Sequence, residues 1–276
     1  MIQHRRERVI GHAILILGSL IALYPFLSIL GLAMSRPGER PSGMAIPTSL
    51  YFDNFVEAWT RGLFSSALTS SAIVAISVVL GTITLAVPAA YAFARSRSTV
   101  MTVLAGVLLV GLVMPYEATV IPLYQMFGDW GLLNTYWALI LPQIGLSLSF
   151  AVLWLRTAFA QTPASLSEAA ALDGASRVGT LWSVILPITV PALLTLATLL
   201  FLFTWNEFLL ALVLVPDDRS VQTAPLALSF FAGNRRNSDP AVTAAAAVLV
   251  ALPVLVTYLF LQRRLISGMF AGAIKE

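Results

Sequence analysis

Two carboxylates, Glu117 and Glu207, lie inside stretches that are otherwise apolar. An acid at the centre of a bilayer costs about 2.5–3.5 kcal/mol on insertion scales, so such residues usually face a cavity or a partner. Glu207 closes the run Trp205, Asn206, Glu207, an aromatic ring beside two hydrogen-bonding groups. Glu117 adjoins Pro115 at the end of its stretch, and there the structural reading is preferred. A proton- or ion-coupled carrier would have a use for both acids, but such carriers commonly contain internal inverted repeats, and none is visible in the chain. Other chemistry lacks its parts. There is no cysteine, which excludes disulfides, thiol catalysis and thiolate metal sites. The only histidines are His4 and His12, so no histidine-rich metal cluster forms. No serine has a convincing base partner for nucleophilic catalysis, and the chain is not expected to be an enzyme. The G-x-x-x-x-G-K-[ST] loop that cradles nucleotide phosphates is also missing, so the chain is expected to hold no ATP of its own in that manner.

The densest local signal is the segment from Gln161 to Pro187, QTPASLSEAAALDGASRVGTLWSVILP. It parses as two short helices outside the bilayer. Thr162 is placed to cap the first, with Pro163 at the first helical position. Ser165 and Glu168 have the S-x-x-E spacing of a capping box. Glu168, Ala169, Ala170, Ala171 and Leu172 favour helix. Gly174 is placed to end it with φ > 0, where a Cβ would cost energy. A second helix is expected from about residue 175 to Leu186-Pro187. A compact, small-sided helix suits a groove on another protein. The alternative is an amphipathic linker lying on lipid, which should show basic residues on one face. The first helix has Glu168 and Asp173 and neither Lys nor Arg, so docking is the preferred reading.

These groups must be positioned by membrane spans. Of the 276 residues, 58% are hydrophobic and 11% charged, with mean hydropathy +0.88. A soluble domain carries about 25% charged residues, so lipid is the solvent that fits. Six runs reach the length of about 20 residues needed to cross a bilayer: roughly 9–33, 62–94, 99–123, 133–155, 188–215 and 241–261. Pro88, Pro115, Pro142, Pro191 and Pro253 fall in or near them, as kinks that neighbouring helices can satisfy. The first run follows QHRRER, is too long for a signal-peptide core and is read as an uncleaved span. With the N-terminus inside, ten Lys/Arg fall in inner segments and six in outer ones, so both termini are expected in the cytoplasm. SLYFDNFVEAW in the 35–60 loop predicts a small folded outer cap. RSRS at 95–98 predicts a tight inner turn, with Arg95 marking the inner interface. Residues 216–240 predict a polar outer excursion, ended by Asp239-Pro240 as cap and first position of the last helix. The expectation is an all-α integral membrane protein of six transmembrane helices in one domain, residues 1–276, with a core of about 62–262.

EAAALDGAS followed by ILP resembles the EAA loop of binding-protein-dependent ABC importer permeases, and more narrowly the MalG-type subunit of carbohydrate importers. Other pieces agree in order: YAFAR at 91–95, MPYEATVIPLY at 114–124, GLLNT at 131–135, FTWNEFLLAL at 203–212 and the closing QRRLISGMFAGAIKE. The family usually ends GAVKG where this chain ends GAIKE. The resemblance covers about residue 47 to the end. It implies a type I importer permease of MetI-like fold in the bacterial inner membrane. It also implies a second, MalF-like permease subunit, two cytoplasmic ATPases that bind ATP and Mg, and an extracytoplasmic binding protein that delivers sugar. The residues it assigns to ATPase coupling, in the loop 160–187, are Glu168, Ala169, Ala170, Asp173 and Gly174. Under it, Trp205, Asn206 and Glu207 become candidates for the sugar path, ring faces against pyranose and polar groups to hydroxyls. The other reading leaves Glu207 at the outer interface, solvated or packed on the sister subunit. Permeases for other solutes, such as peptides or glycerol phosphate, share the EAA loop, while WNEF and GAIKE lean towards carbohydrate.

Overall fold

Apolar runs make helices here because a backbone in lipid must satisfy its own hydrogen bonds, and proline decides where they bend. The computed structural model describes residues 5–36, 50–96, 98–233 and 239–270. All regular structure among the described residues is helical. Among the described residues five helices are long and apolar enough to cross a membrane, and a bent pair brings the number to six when it is counted as one span. The helices are α1 (Arg5–Ala33), α2 (Asp53–Arg61), α3 (Phe64–Arg95), α4 (Thr99–Val113), α5 (Val120–Asp129), α6 (Tyr136–Ala160), α7 (Ala164–Leu172), α8 (Arg177–Thr180), α9 (Leu186–Trp205), α10 (Leu209–Leu214), α11 (Ala224–Gly233) and α12 (Pro240–Phe270). They fall into two compact units, Met1–Ser65 with Ala227–Pro253 and Ser66–Leu226 with Val254–Glu276.

In the first unit, α2 is the folded element expected from SLYFDNFVEAW. Buried Asn54 donates from Nδ2 to the carbonyls of Ala33, at 2.9 Å, and Ser35, at 2.8 Å, tying α2 to the end of α1. Glu57 and Arg61, one turn apart, pair at 2.7 Å. Asp239 accepts the amide of Ala241 at 2.9 Å, and Pro240 opens α12, as the sequence predicts. Residues 37–49, Arg97, NRRNS at 234–238 and the closing AGAIKE lie outside the described residues.

In the second unit most buried residues of α3 fall on one small-sided stripe, which includes Ser70, Ser71, Val74, Val78, Thr82, Ala86 and Ala90. Small side chains let helices approach closely in lipid. A Cβ on Gly81 would sit 2.6 Å from Ile144 Cδ1 of α6. Two apolar clusters follow one another along this stripe. One gathers Val74, Val78, Phe127, Leu139 and Leu210, the other Ala90, Leu155, Phe159, Ile185 and Leu196.

Two spans differ from expectation. The third is not straight: α4 and the segment Tyr116–Asp129 meet at 91°. Pro115 has no amide, and it forces Met114 out of the helical region to ψ 128°. Pro115 is itself extended, at ψ 116°. Two consecutive extended residues turn the chain rather than kink it. Glu117 lies in the 3₁₀ turn Tyr116–Thr119 beyond the bend and is exposed. The fifth run extends at its start and breaks near its end. Pro187 does not stop the preceding helix. Residues Leu181–Ile185 widen into a π turn, with the Leu186 amide donating to the Leu181 carbonyl, and the helix runs on into α9. A π turn relieves the position where a proline has neither an amide to offer nor room against the carbonyl four residues back. Arg177–Trp205 is therefore one helical stretch of 29 residues.

Candidate functional site

The segment from 161 to 185 folds as a helix–turn–helix, but its first helix is capped differently from the sequence expectation. Thr162 does not cap α7: its Oγ1 donates back to the Phe159 carbonyl of α6 at 2.5 Å. Pro163 is the residue before the helix, extended at ψ 135°, and no side chain caps the first turn. The proline's fixed φ sets the helix start at Ala164. Ser165 thereby lies inside the first turn and Glu168 further along, so the spacing of a capping box is present but two residues late, and no box forms. Ser167, between them, accepts a hydrogen bond from Arg95 Nη2 at 2.7 Å. That partner lies 72 residues away, and reading Arg95 as an interface marker gave no sign of the pairing.

The other end of α7 matches the sequence reading. Gly174 adopts φ +82°. The Ala175 amide donates to the Ala170 carbonyl at 2.9 Å and the Gly174 amide to the Ala171 carbonyl at 3.1 Å. That pair of bonds is the Schellman arrangement, which satisfies the orphan carbonyls of a helix end. No atom lies within 4 Å of where a Cβ on Gly174 would be, so the conformation, not crowding, demands glycine. The chain then enters α8 through Ser176, whose Oγ accepts the Gly179 amide at 3.1 Å.

The two alanines differ. Ala170 is buried, 8% exposed, on the side of α7 that packs on α8 and the π turn. It faces its own chain, whereas Ala169, which the resemblance assigns to coupling along with it, does not. Glu168, Ala169, Asp173 and Gly174 are exposed. At the tip Leu172 is 89% exposed, an apolar side chain outside the spans with no cover from its own chain.

The second candidate, Trp205-Asn206-Glu207, sits at a break, not within a continuous span: α9 ends at Trp205 and α10 begins at Leu209. Trp205 is 4% exposed, its ring centre 5.4 Å from that of Phe201 and tilted against it by 33°. Asn206 is exposed and donates from Nδ2 to the Leu202 carbonyl at 2.8 Å. Half-exposed Glu207 accepts the Leu210 amide on Oε1 at 2.8 Å, supplying the acceptor that the first turn of α10 lacks. The polar residues thus close off the ends of two helices, while Asn206 and one edge of Glu207 stay open.

Past α10, the return loop is tied to its own unit. Asn134, at φ +59°, donates its amide to the Leu214 carbonyl at 2.9 Å, and its Oδ1 accepts the Asp217 amide at 3.1 Å. The Ser220 carbonyl accepts from Ser70 Oγ at 2.9 Å and from the Tyr136 hydroxyl at 3.3 Å. Ser71 Oγ accepts the Ala224 amide at 2.8 Å. Asp218 accepts both the amide and the hydroxyl of Ser220, and these bonds hold its carboxyl below its ordinary range.

Apolar helices of spanning length and, between two of them, a helix–turn–helix whose first helix ends at a left-handed glycine define an integral membrane protein. Residues 82–270 match the family described as binding-protein-dependent transport system inner membrane component, and the chain belongs to that family. The trehalose transport system permease protein SugB of Mycobacterium tuberculosis is 35% identical over 255 residues, which is 92% of this chain and 93% of the relative. The trehalose/maltose transport system permease protein MalG of Thermococcus litoralis is 32% identical over 98% of this chain and 99% of its own length. The diacetylchitobiose uptake system permease protein NgcG of Streptomyces coelicolor is 32% identical over 98% of this chain. A chain of a bacterial ABC transporter involved in the import of alginate superposes with a TM-score of 0.80 at 24% identity. It covers 95% of this chain and 99% of its own, a likeness of fold.

Proposed function

We propose that this chain is one of two permease subunits of an ATP-driven importer for small carbohydrates, with α7 as the helix that seats on a cytoplasmic ATPase. The observation that carries the reading is Leu172: a large apolar residue exposed at the tip of a short helix whose end is fixed by Gly174. A short helix with a fixed end and a protruding apolar side chain is the shape that seats in a groove on a partner. Glu168, Ala169, Asp173 and Gly174 line the contact, while Ala170 holds α7 to its own chain. The ATP and Mg belong to the partner ATPase. The second permease subunit is MalF-like, and an extracytoplasmic binding protein delivers the solute. Both termini and the 160–187 segment are cytoplasmic in this reading, in line with the Lys/Arg bias. The sugar class is supported by the trehalose, maltose and diacetylchitobiose systems among the relatives.

The test is Gly174→Val. A side chain in the left-handed region costs about 1–2 kcal/mol, more when β-branched, so the end of α7 must reorient. The spans should still insert, sugar uptake should fall at least tenfold, and the ATPase should dissociate or lose its stimulation by loaded binding protein. Full uptake by this variant, or a wild-type chain that binds no ATPase, contradicts the proposal.

The open break at 206–208 is the part of the chain proposed to meet the sugar, through Asn206 and Glu207. Trp205 contributes by packing on Phe201, and its ring offers no free face. Glu207→Gln keeps the acceptor for the Leu210 amide and removes only the charge, whereas Glu207→Ala removes both. A sugar-facing role predicts that Asn206→Ala and Glu207→Ala slow uptake in assembled complexes. Wild-type transport kinetics for both variants place Glu207 at the interface instead. A loss in Glu207→Ala alone, fully restored in Glu207→Gln, assigns it to the helix end.

A further inference from the structure

The last residue of α3 is joined to the middle of α7. Arg95 Nη2 donates to Ser167 Oγ at 2.7 Å, while its guanidinium carbon lies 5.9 Å from the centre of the Tyr91 ring. Tyr91 in turn meets Phe159 of α6 edge-on at 6.3 Å, and Phe159 is fully buried. The Phe159 carbonyl accepts from Thr162 Oγ1, two residues before α7 begins. α7 is therefore held at its start by α6 and at its middle by α3, with Ala170 packed on the segment that leads into α9. An arginine ending a span usually extends its charge into water. Here the chain places it over a ring one turn back, which pre-orders a long side chain, and spends one fork of the guanidinium on a hydroxyl of the neighbouring helix.

We propose that Arg95 is a positioning residue for transport coupling: through Ser167 and Tyr91 it makes α7 and the end of α3 move as one body. The proposal rests on the reading of α7 as the helix that seats on the ATPase. Without the tether, α7 keeps only its attachments to α6 and to the segment leading into α9, and motion imposed on it reaches α3 less completely.

The test uses the assembled importer, reconstituted with its ATPases and binding protein, and reads sugar moved per ATP hydrolysed. An exposed charge-assisted pair biases an equilibrium by about threefold to fivefold at most, and groups acting as one unit are not additive. Arg95→Ala and Ser167→Ala should each lower the transport-to-hydrolysis ratio by about that factor, the double variant no further, and Arg95→Lys should restore most of it. Unchanged ratios, or losses that multiply in the double variant, overturn the tether. A second measurement stands even where a variant assembles poorly. The chain has no cysteine, so Arg95→Cys with Ser167→Cys can be joined by a short bifunctional thiol reagent. Cross-linking should raise the ratio of the double-cysteine protein. If it stops uptake instead, the two residues must separate during the cycle and the proposal fails. A wild-type chain that binds no ATPase would sink the docking reading, a different result from either of these.

Discussion

The loops at the two ends of α6 are both tied to α3, and they differ in what they leave uncovered. Before α6, the GLLNT turn and the return loop after α10 knit to each other and to α3 through Asn134, Tyr136, Ser70 and Ser71. Polar groups that composition alone would send to water are used up within the chain. After α6, a helix ended by a fixed left-handed glycine presents Leu172 to the outside. α6 keeps the loops apart by about 37 Å, at 1.5 Å per residue over 25 residues. The difference teaches where a partner is needed. A loop whose hydrogen bonds close internally stands alone, and one that keeps an apolar tip uncovered is waiting for a surface.

The largest effect that would sharpen this contrast is expected at α7. Ala170→Trp forces a large side chain into the contact of α7 with its own chain, and overpacking typically costs about 1–3 kcal/mol. Ala169→Trp adds the same bulk on the exposed side. The first should weaken protease resistance of the 160–187 segment even in the isolated chain. The second should leave that resistance intact and reduce only ATPase retention. Equal sensitivity of both variants in the isolated chain would break the assignment of the two faces.

A smaller effect tests the other loop. Ser220 holds the Asp218 carboxyl below its ordinary value of 3.8. A depressed carboxyl contributes stability that is present above its unfolded value and lost as pH falls through the folded one. Amide exchange at Ser220, corrected for its intrinsic rate, should keep constant protection down to about pH 4 and lose it below. Asp218→Asn should remove that acid dependence. The carboxyl is exposed, so global stability should hardly change. Protection that is flat with pH in the native chain would show that the loop does not depend on this carboxylate.

Run lengths and single strong local signals were legible in the sequence, while the geometry around prolines and the contacts between distant segments were not. The spans follow from run length, the Gly174 turn from a glycine after an alanine-rich helix, and the start of α12 from Asp239-Pro240. The 91° bend was hidden because Pro115 reads as a kink until Met114 is seen to be extended as well. Pro187 reads as a stop, and a π turn carries the helix past it. Thr162, Ser165 and Glu168 all have cap-like spacing, and only the position of Pro163 decides that none caps α7. The inward side of α7 could not be told from a run of alanines, which has no apolar face to read. The Arg95–Ser167 contact joins distant segments, and no local pattern announces it.

Site-directed cross-linking from position 172 tests the central claim most directly, with position 217 as the control from the other loop. In intact cells expressing the whole importer, a photoreactive residue at 172 should capture an ATPase subunit, and one at 217 should not. Capture of the ATPase from 217, or exclusive capture of lipid from 172, would contradict α7 as the helix through which ATP hydrolysis drives this permease.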